Sequence, residues 1–281
     1  MRARRAFARL FAVLFVAASI RLAYGYEQKT TLPDTLTLPQ LHLLDSMENG
    51  VALRQCCNGT LAACMAQKSP CSLATRLHAF VKWLVQRGAS PSLISQELER
   101  RYASFTATGA VAIDTTVFPI AGDKHAPILI CGYVSATCPI CHFVTRELYD
   151  AVTTGTLKGK ARLMVKPLGT GFANRSLAAA NFMGRFWDFF IGVAKTKGRV
   201  TDELIYNVAD SLGMSVGEFK KRISAPPAES CVTASTREAG ANAVTLAPCY
   251  FINRVRYQSY KDPMWLIDAA EFKYESISGK K

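Results

Sequence analysis

The chain has 281 residues, 49% hydrophobic and 20% charged, a composition that suits a folded globular protein with one or two cores and excludes a disordered chain, a collagen or a multi-span membrane protein. Five units of its net charge of +13 come from the start, where Arg2, Arg4, Arg5, Arg9 and Arg21 stand among the first 25 residues with no acid. The remaining +8 is too diffuse for a nucleic-acid-binding signature, so no nucleic-acid partner is expected.

Residues 1–25 read as an export signal: a basic start, the apolar run Leu10–Ile20, and small residues Ala23 and Gly25 around Tyr24. The apolar run is shorter than the ~20 residues needed to span a bilayer, so cleavage after Gly25 is expected, and retention would leave the protein membrane-associated. Export implies an oxidising compartment, the periplasm in a bacterium, where disulfides persist. All nine cysteines lie beyond the signal, and an odd number leaves at least one thiol unpaired within the monomer.

Residues 26–110 are expected to form a small Cys-rich helical domain. Leu41–Leu53 is a weak helix candidate. Ser72 suits the N-cap of a helix carrying Leu73, Leu77, Phe80, Val81, Leu84 and Val85 at helical spacing, and Gly88 suits its end. Ser90-Pro91 then opens a second helix with Leu93, Ile94 and Leu98 on one face. A unit this small needs staples, which Cys56, Cys57, Cys64 and Cys71 could supply. Three pairings are available to four cysteines, and the adjacent pair Cys56 and Cys57 is poorly placed to bond to itself. Structural disulfides, a redox-active pair and a metal site all remain open for these four.

Leu84–Phe105, LVQRGASPSLISQELERRYASF, resembles the periplasmic helical domain of the cytochrome c maturation protein CcmH. That family carries leucine-arginine followed by C-x-x-C, whereas here Leu53-Arg54 leads into Gln55, Cys56 and Cys57, so its redox pair is not transferable. The domain is free to dock a membrane partner, recognise clients or dimerise.

The strongest chemical signal follows a boundary near residues 105–115. Ile128–Val134 is an apolar run of strand length that leads through Ser135–Thr137 into Cys138-Pro139-Ile140-Cys141 and a helix. Pro139 suits a first helical turn, and a thiolate at Cys138 is stabilised by the positive end of that helix. Cys141, one turn on, is placed to resolve a mixed disulfide on Cys138. With His142 the string also reads as the C-x-x-C-H haem-attachment pattern, which the preceding strand disfavours, and a zinc site lacks further ligands at suitable spacing.

Thr245–Tyr257, TLAPCYFINRVRY, reads as two short strands around a turn at Asn253-Arg254, and Pro248 ahead of the first is anomalous unless its bond to Ala247 is cis beside a reactive site. With the C-x-x-C this region resembles the thioredoxin superfamily in its DsbA-like branch, over residues 117–275. The resemblance implies an α/β thioredoxin fold across residues 111–281, with a cis-proline loop and a helical insertion near 170–240. Phe118–Pro127 would approach the first strand, Ala161–Pro167 would be the next strand, and Met264–Phe272 the closing helix. Within the insertion, helical patterns cover Ser176–Val193, Thr201–Leu212 and Val216–Ile223.

By the same resemblance the function is thiol-disulfide exchange with substrate proteins, with Cys138 as nucleophile, Cys141 as resolving thiol and the Ala247-Pro248 backbone as the substrate-strand acceptor. It implies client proteins with thiols or disulfides, a membrane redox partner and no cofactor. Reduction of apocytochrome thiols and a redox-inert binding module are the alternatives. Three departures stand out: Gly132 replaces a buried acid found in many members six residues before the first Cys, the dipeptide is Pro-Ile, and Cys249 follows Pro248. Cys249 reads either as a small buried strand residue, like Cys131, or as a partner for Cys231 at the opening of an upstream helix. The aromatics Phe182, Phe186, Trp187, Phe189 and Phe190 suit a core or a peptide groove, and Asn58 and Asn174 fit glycosylation acceptors in a eukaryotic secretory route.

Overall fold

The computed structural model describes residues 35–259 and 261–279, so the export signal expected over 1–25 lies outside the described residues. No helix among the described residues is long and apolar enough to cross a membrane.

The N-terminal region is built from α1 (Leu38–Asn49), a ribbon of β1 (Ala52–Leu53) and β2 (Gly59–Thr60), α2 (Leu61–Met65), α3 (Ser72–Gln86) and α4 (Pro91–Thr106). The helix expected over Leu41–Leu53 thus starts earlier and stops at Asn49, because Gly50 ends it and Ala52–Leu53 turns to pair with Gly59–Thr60. Cys71, one residue before the expected cap, occupies the N-cap of α3, its sulfur accepting the Ala74 N–H at 3.4 Å. Ser90 caps α4 through Leu93 N–H, with Pro91 in the first turn.

The central sheet has five strands in the order β3-β5-β4-β6-β7, comprising β3 (Ala121–Gly122), β4 (Ile128–Val134), β5 (Ala161–Pro167), β6 (Cys249–Ile252) and β7 (Val255–Arg256). Only β4 and β5 run parallel; α5 (Pro139–Thr153) makes the crossover between them. Both strands are covered on two faces, which explains their nearly unbroken apolar sequences. The turn between β6 and β7 puts Asn253 and Arg254 at φ 47° and 69°, and Asn253 is held there by exchanging hydrogen bonds with the Leu129 backbone. The segment joining the N-terminal helices to the sheet runs along β7, where Ala110 bridges to Val255.

Between β5 and β6 stand five helices: α6 (Phe172–Phe182), α7 (Phe186–Lys195), α8 (Asp202–Ser211), α9 (Val216–Ser224) and α10 (Pro226–Ala241). The run expected as one helix over Ser176–Val193 is broken at Gly184, whose φ of +69° a side chain would disfavour. The chain closes with α11 (Pro263–Ser278).

Two main hydrophobic clusters result, beside a small one of Ala178, Ala228 and Val232. The larger of the two surrounds the sheet; the smaller is lined by Leu53, Leu61, Leu77, Phe80, Leu84 and Leu98 of the N-terminal region, and Trp265 of α11 completes it.

Candidate active site

The C-x-x-C stands where β4 feeds α5. Cys138 is the N-cap of α5, in an extended conformation, and its sulfur accepts the Cys141 N–H at 3.2 Å. The two sulfurs are joined in a disulfide across a Cα separation of 5.2 Å. Cys138 is partly exposed while Cys141 is fully buried, so an incoming thiolate reaches the first sulfur and not the second. When the pair is reduced, a thiolate on Cys138 would meet the free N–H groups of the first turn of α5.

The loop that delivers Cys138 is clamped at the Ala136 peptide. Its N–H donates to Asn174 Oδ1 at 2.8 Å, and its carbonyl accepts from His142 Nε2 at 2.8 Å. Asn174 donates in turn to the carbonyls of Leu168 (2.7 Å) and Gly169 (3.0 Å), tying the loop after β4 to the loop after β5. Burial pushes His142 below its usual range, which favours the neutral ring that donates to Ala136. Its Nε2, the atom most suited to ligating haem iron, is thus committed to the loop. Asn174 is buried with both ends of its amide engaged, which corrects its reading as a glycosylation acceptor. Sequence reasoning named His142 and Asn174 in other roles and missed the clamp they form; no local motif marks an asparagine 36 residues beyond the cysteine as its loop's anchor.

The Ala247–Pro248 peptide is cis. Cys249 lies opposite Tyr133 in the β4–β6 register, so Pro248 stands beside the end of β4, at the edge of the sheet from which the Cys138 loop leaves. Ala247 is half-buried and Leu246 is 75% exposed just ahead of Pro248.

Gly132 has a steric reason. A Cβ there would lie 2.5 Å from Cε1 and 2.9 Å from Cδ1 of Tyr250, whose ring fills the space beneath α5 and whose hydroxyl meets that of Thr145 at 3.0 Å. The volume where the resemblance led an acid to be expected is therefore occupied by a tyrosine side chain from the neighbouring strand. On the opposite face, Lys166 is buried and donates to Glu238 of α10 (2.6 Å) and to the Asp114 carbonyl (2.9 Å), while the Tyr133 hydroxyl donates to Glu238. These charges satisfy one another.

The other cysteines divide. Cys56–Cys71 and Cys57–Cys64 are disulfides in the N-terminal region, whereas Cys131, Cys231 and Cys249 are free. The pairing of Cys231 with Cys249 is thus corrected: Cys231 lies within α10, which begins at Pro226, and packs beside Ala178, Ala228 and Val232, while Cys249 is buried in β6. Burial raises all three thiols, Cys131 to about 12, which makes them poor nucleophiles. Of the aromatic group, Phe186, Phe189 and Phe190 are core and Phe182 is exposed.

A family model described as thioredoxin matches residues 114–269. Among solved structures, alpha-DsbA1 of Wolbachia pipientis is similar at a TM-score of 0.52 and 17% identity, over 60% of this chain and 96% of that one. Oxidised BdbD of Bacillus subtilis is similar at 0.51 and 16%, over 60% and 100%. A thioredoxin-like oxidoreductase of Silicibacter pomeroyi DSS-3 is similar at 0.50 and 18%, over 62% and 97%. At these identities the likeness speaks for the fold. No curated protein matches. The family match begins after α4, so the likeness of the hairpin to CcmH rests on Leu84–Phe105 alone. Matched over more than half its length, the chain belongs to the thioredoxin family, and its helical insertion gives it the DsbA-like form of that fold.

Proposed function

We propose that the protein is an exported thiol-disulfide oxidoreductase that exchanges disulfides with substrate proteins through Cys138 and Cys141. The observation that carries this reading is the asymmetry of the pair: a partly exposed Cys138 at the N-cap of α5, bonded to a fully buried Cys141 one turn inside. A substrate thiolate attacks the Cys138 sulfur, the Cys138–Cys141 bond breaks, and Cys141 leaves with the electron pair. A second substrate thiol, losing its proton to solvent, attacks the substrate sulfur of the mixed disulfide and releases Cys138. The substrate is oxidised by two electrons and the enzyme dithiol is formed. In the reverse direction Cys138 attacks a substrate disulfide and Cys141 resolves it. The Ala247-Pro248 backbone lays the substrate strand beside Cys138.

Residues 26–110 act as a separate module for a client or a membrane redox partner, and residues 111–281 carry the chemistry in the periplasm after removal of 1–25. The cluster around Leu77, Phe80 and Leu84 supports an N-terminal module, to which Trp265 of α11 contributes from the other side of the division.

Pro139 has no N–H and Ile140 no polar side chain, while His142 is turned to Ala136, so no imidazole stabilises a Cys138 thiolate. The couple is expected below the ~−120 mV of the strongest oxidants. Titration in glutathione buffers with trapping of the species measures it. A potential near or above about −150 mV marks a disulfide donor and one near about −270 mV a reductant. Cys141→Ala should accumulate mixed disulfides with client proteins, and Cys138→Ala none. Absence of any reversible couple would leave only a redox-inert binding module.

A further inference from the structure

The four N-terminal cysteines form two disulfides that meet at adjacent residues, Cys56 and Cys57, yet the two bonds stand in different surroundings. In Cys57–Cys64 the second sulfur belongs to a residue with no exposure, set in α2 against the smaller hydrophobic cluster. Attack on Cys64 is blocked, and attack on the partly exposed Cys57 would expel a Cys64 thiolate into apolar surroundings within the five-residue α2, without the long helix whose first turn receives Cys71 or Cys141. In Cys56–Cys71 both residues are partly exposed, and Cys56 follows the exposed Arg54 and Gln55. Cys71 caps the 15-residue helix α3, its sulfur accepting the Ala74 N–H, which repeats the relation of Cys138 to α5 and Cys141 N–H. Exchange rates depend on access to the attacked sulfur and on the stability of the departing thiolate, and both favour this bond.

We infer that Cys56–Cys71 is a second exchangeable disulfide, which takes two electrons from a dithiol while Cys57–Cys64 stays closed. A thiolate of the dithiol attacks the Cys56 sulfur; the Cys56–Cys71 bond breaks and Cys71 departs as a thiolate at the N-terminus of α3. The second thiol of the dithiol, giving its proton to solvent, then attacks its own partner's sulfur, closing a disulfide and releasing Cys56 as a thiolate that takes a proton. The dithiol is oxidised by two electrons and the Cys56–Cys71 pair reduced by two. Arg76, which donates to Ser72 in the first turn, is paired with Asp268 and Glu275, and Glu275 also accepts from Ser72, so the stabilisation of Cys71 comes from the backbone donors of α3. The open form keeps its fold because Cys57–Cys64 and the cluster around Phe80 and Trp265 remain.

The inference does not depend on the Cys138–Cys141 reading, and its test keeps the two apart. The full chain, and the same chain with Cys138→Ser and Cys141→Ser, are equilibrated in dithiothreitol buffers of graded reduced-to-oxidised ratio. Each cysteine is then trapped by alkylation and scored by peptide mass spectrometry, with circular dichroism in parallel. Cys56 and Cys71 should open together, with the same midpoint in both chains and unchanged helicity, at a ratio about 100-fold below that which opens Cys57 and Cys64. Opening of Cys56–Cys71 only together with Cys57–Cys64, or only with loss of helicity, overturns the inference. A chain in which Cys138 and Cys141 fail to titrate reversibly while Cys56 and Cys71 do so would sink the catalytic reading and leave this one standing.

Discussion

Gly132 shows how one position can decide what chemistry a fold retains. The sequence reveals that the expected acid is missing, but the reason lies across the sheet in Tyr250, a residue 118 positions away that is paired with Gly132 in the β4–β6 register. Tyr250 is buried, and burial raises its hydroxyl well above the usual range, so it remains neutral and bonded to Thr145. Its ring supplies packing where a carboxylate would need solvation. Gly132→Ala should therefore destabilise the protein by about 1–3 kcal/mol through overpacking, measured by urea unfolding. In a Tyr250→Val background, where the ring is gone, the same substitution should cost far less. Equal cost in both backgrounds would show that the constraint is not the ring.

At the scale of elements, the decisive contact is between α4 and α11. Arg101 of α4 is fully buried among Phe80, Phe105, Tyr257 and Trp265, with the Phe105 centroid 4.5 Å from its guanidinium carbon. It donates to the Trp265 carbonyl (2.6 Å) and the Tyr257 hydroxyl (3.0 Å) and is paired with Asp268, which also holds Arg76 of α3. Removing Arg101 leaves the Trp265 carbonyl without its donor and Asp268 with Arg76 as its remaining cation, in a partly buried site. Arg101→Met should lower stability by about 3–5 kcal/mol and open the 107–117 segment to limited proteolysis. A variant as stable and protease-resistant as the parent would show that aromatic packing alone joins the helices. Sequence patterning found α3, α4, α5, β4 and β5 because each pairs a cap or a strand-length apolar run with clear periodicity. It opened α10 only at Cys231 rather than at Pro226, since PPAESCVTASTREAGA is rich in small and polar residues and buries only Ala228, Val232, Ser235 and Ala239. It gave no sign that Arg101 is buried: nothing local distinguishes a buried arginine from an exposed one when its acid, Asp268, lies 167 residues on.

Across the whole molecule, α11 links the two cores. Leu266, Ala269 and Ala270 belong to the large cluster, while Trp265 meets Phe80 at 5.0 Å and Trp83 at 5.5 Å in the small one, and Phe272 packs on Phe105 at 4.7 Å. The sequence marks the cysteine chemistry clearly, because C-x-x-C at a strand-to-helix junction is a local pattern, and a cis bond at Pro248 follows from a proline misplaced in a strand. It cannot mark shared ownership of a helix, which depends on which faces meet after folding. A module of N-terminal helices that borrows its central tryptophan from the last helix has little independent stability. Calorimetry of the chain should therefore give one unfolding transition, with calorimetric and van't Hoff enthalpies in agreement. Trp265→Ala, removing a side chain from the small core, should cost about 3–5 kcal/mol and split that transition in two, the N-terminal helices melting first. Two separate transitions in the unmodified chain would mean that the contacts of α11 do not couple the cores, and that the N-terminal module is a tethered domain rather than part of the catalytic scaffold.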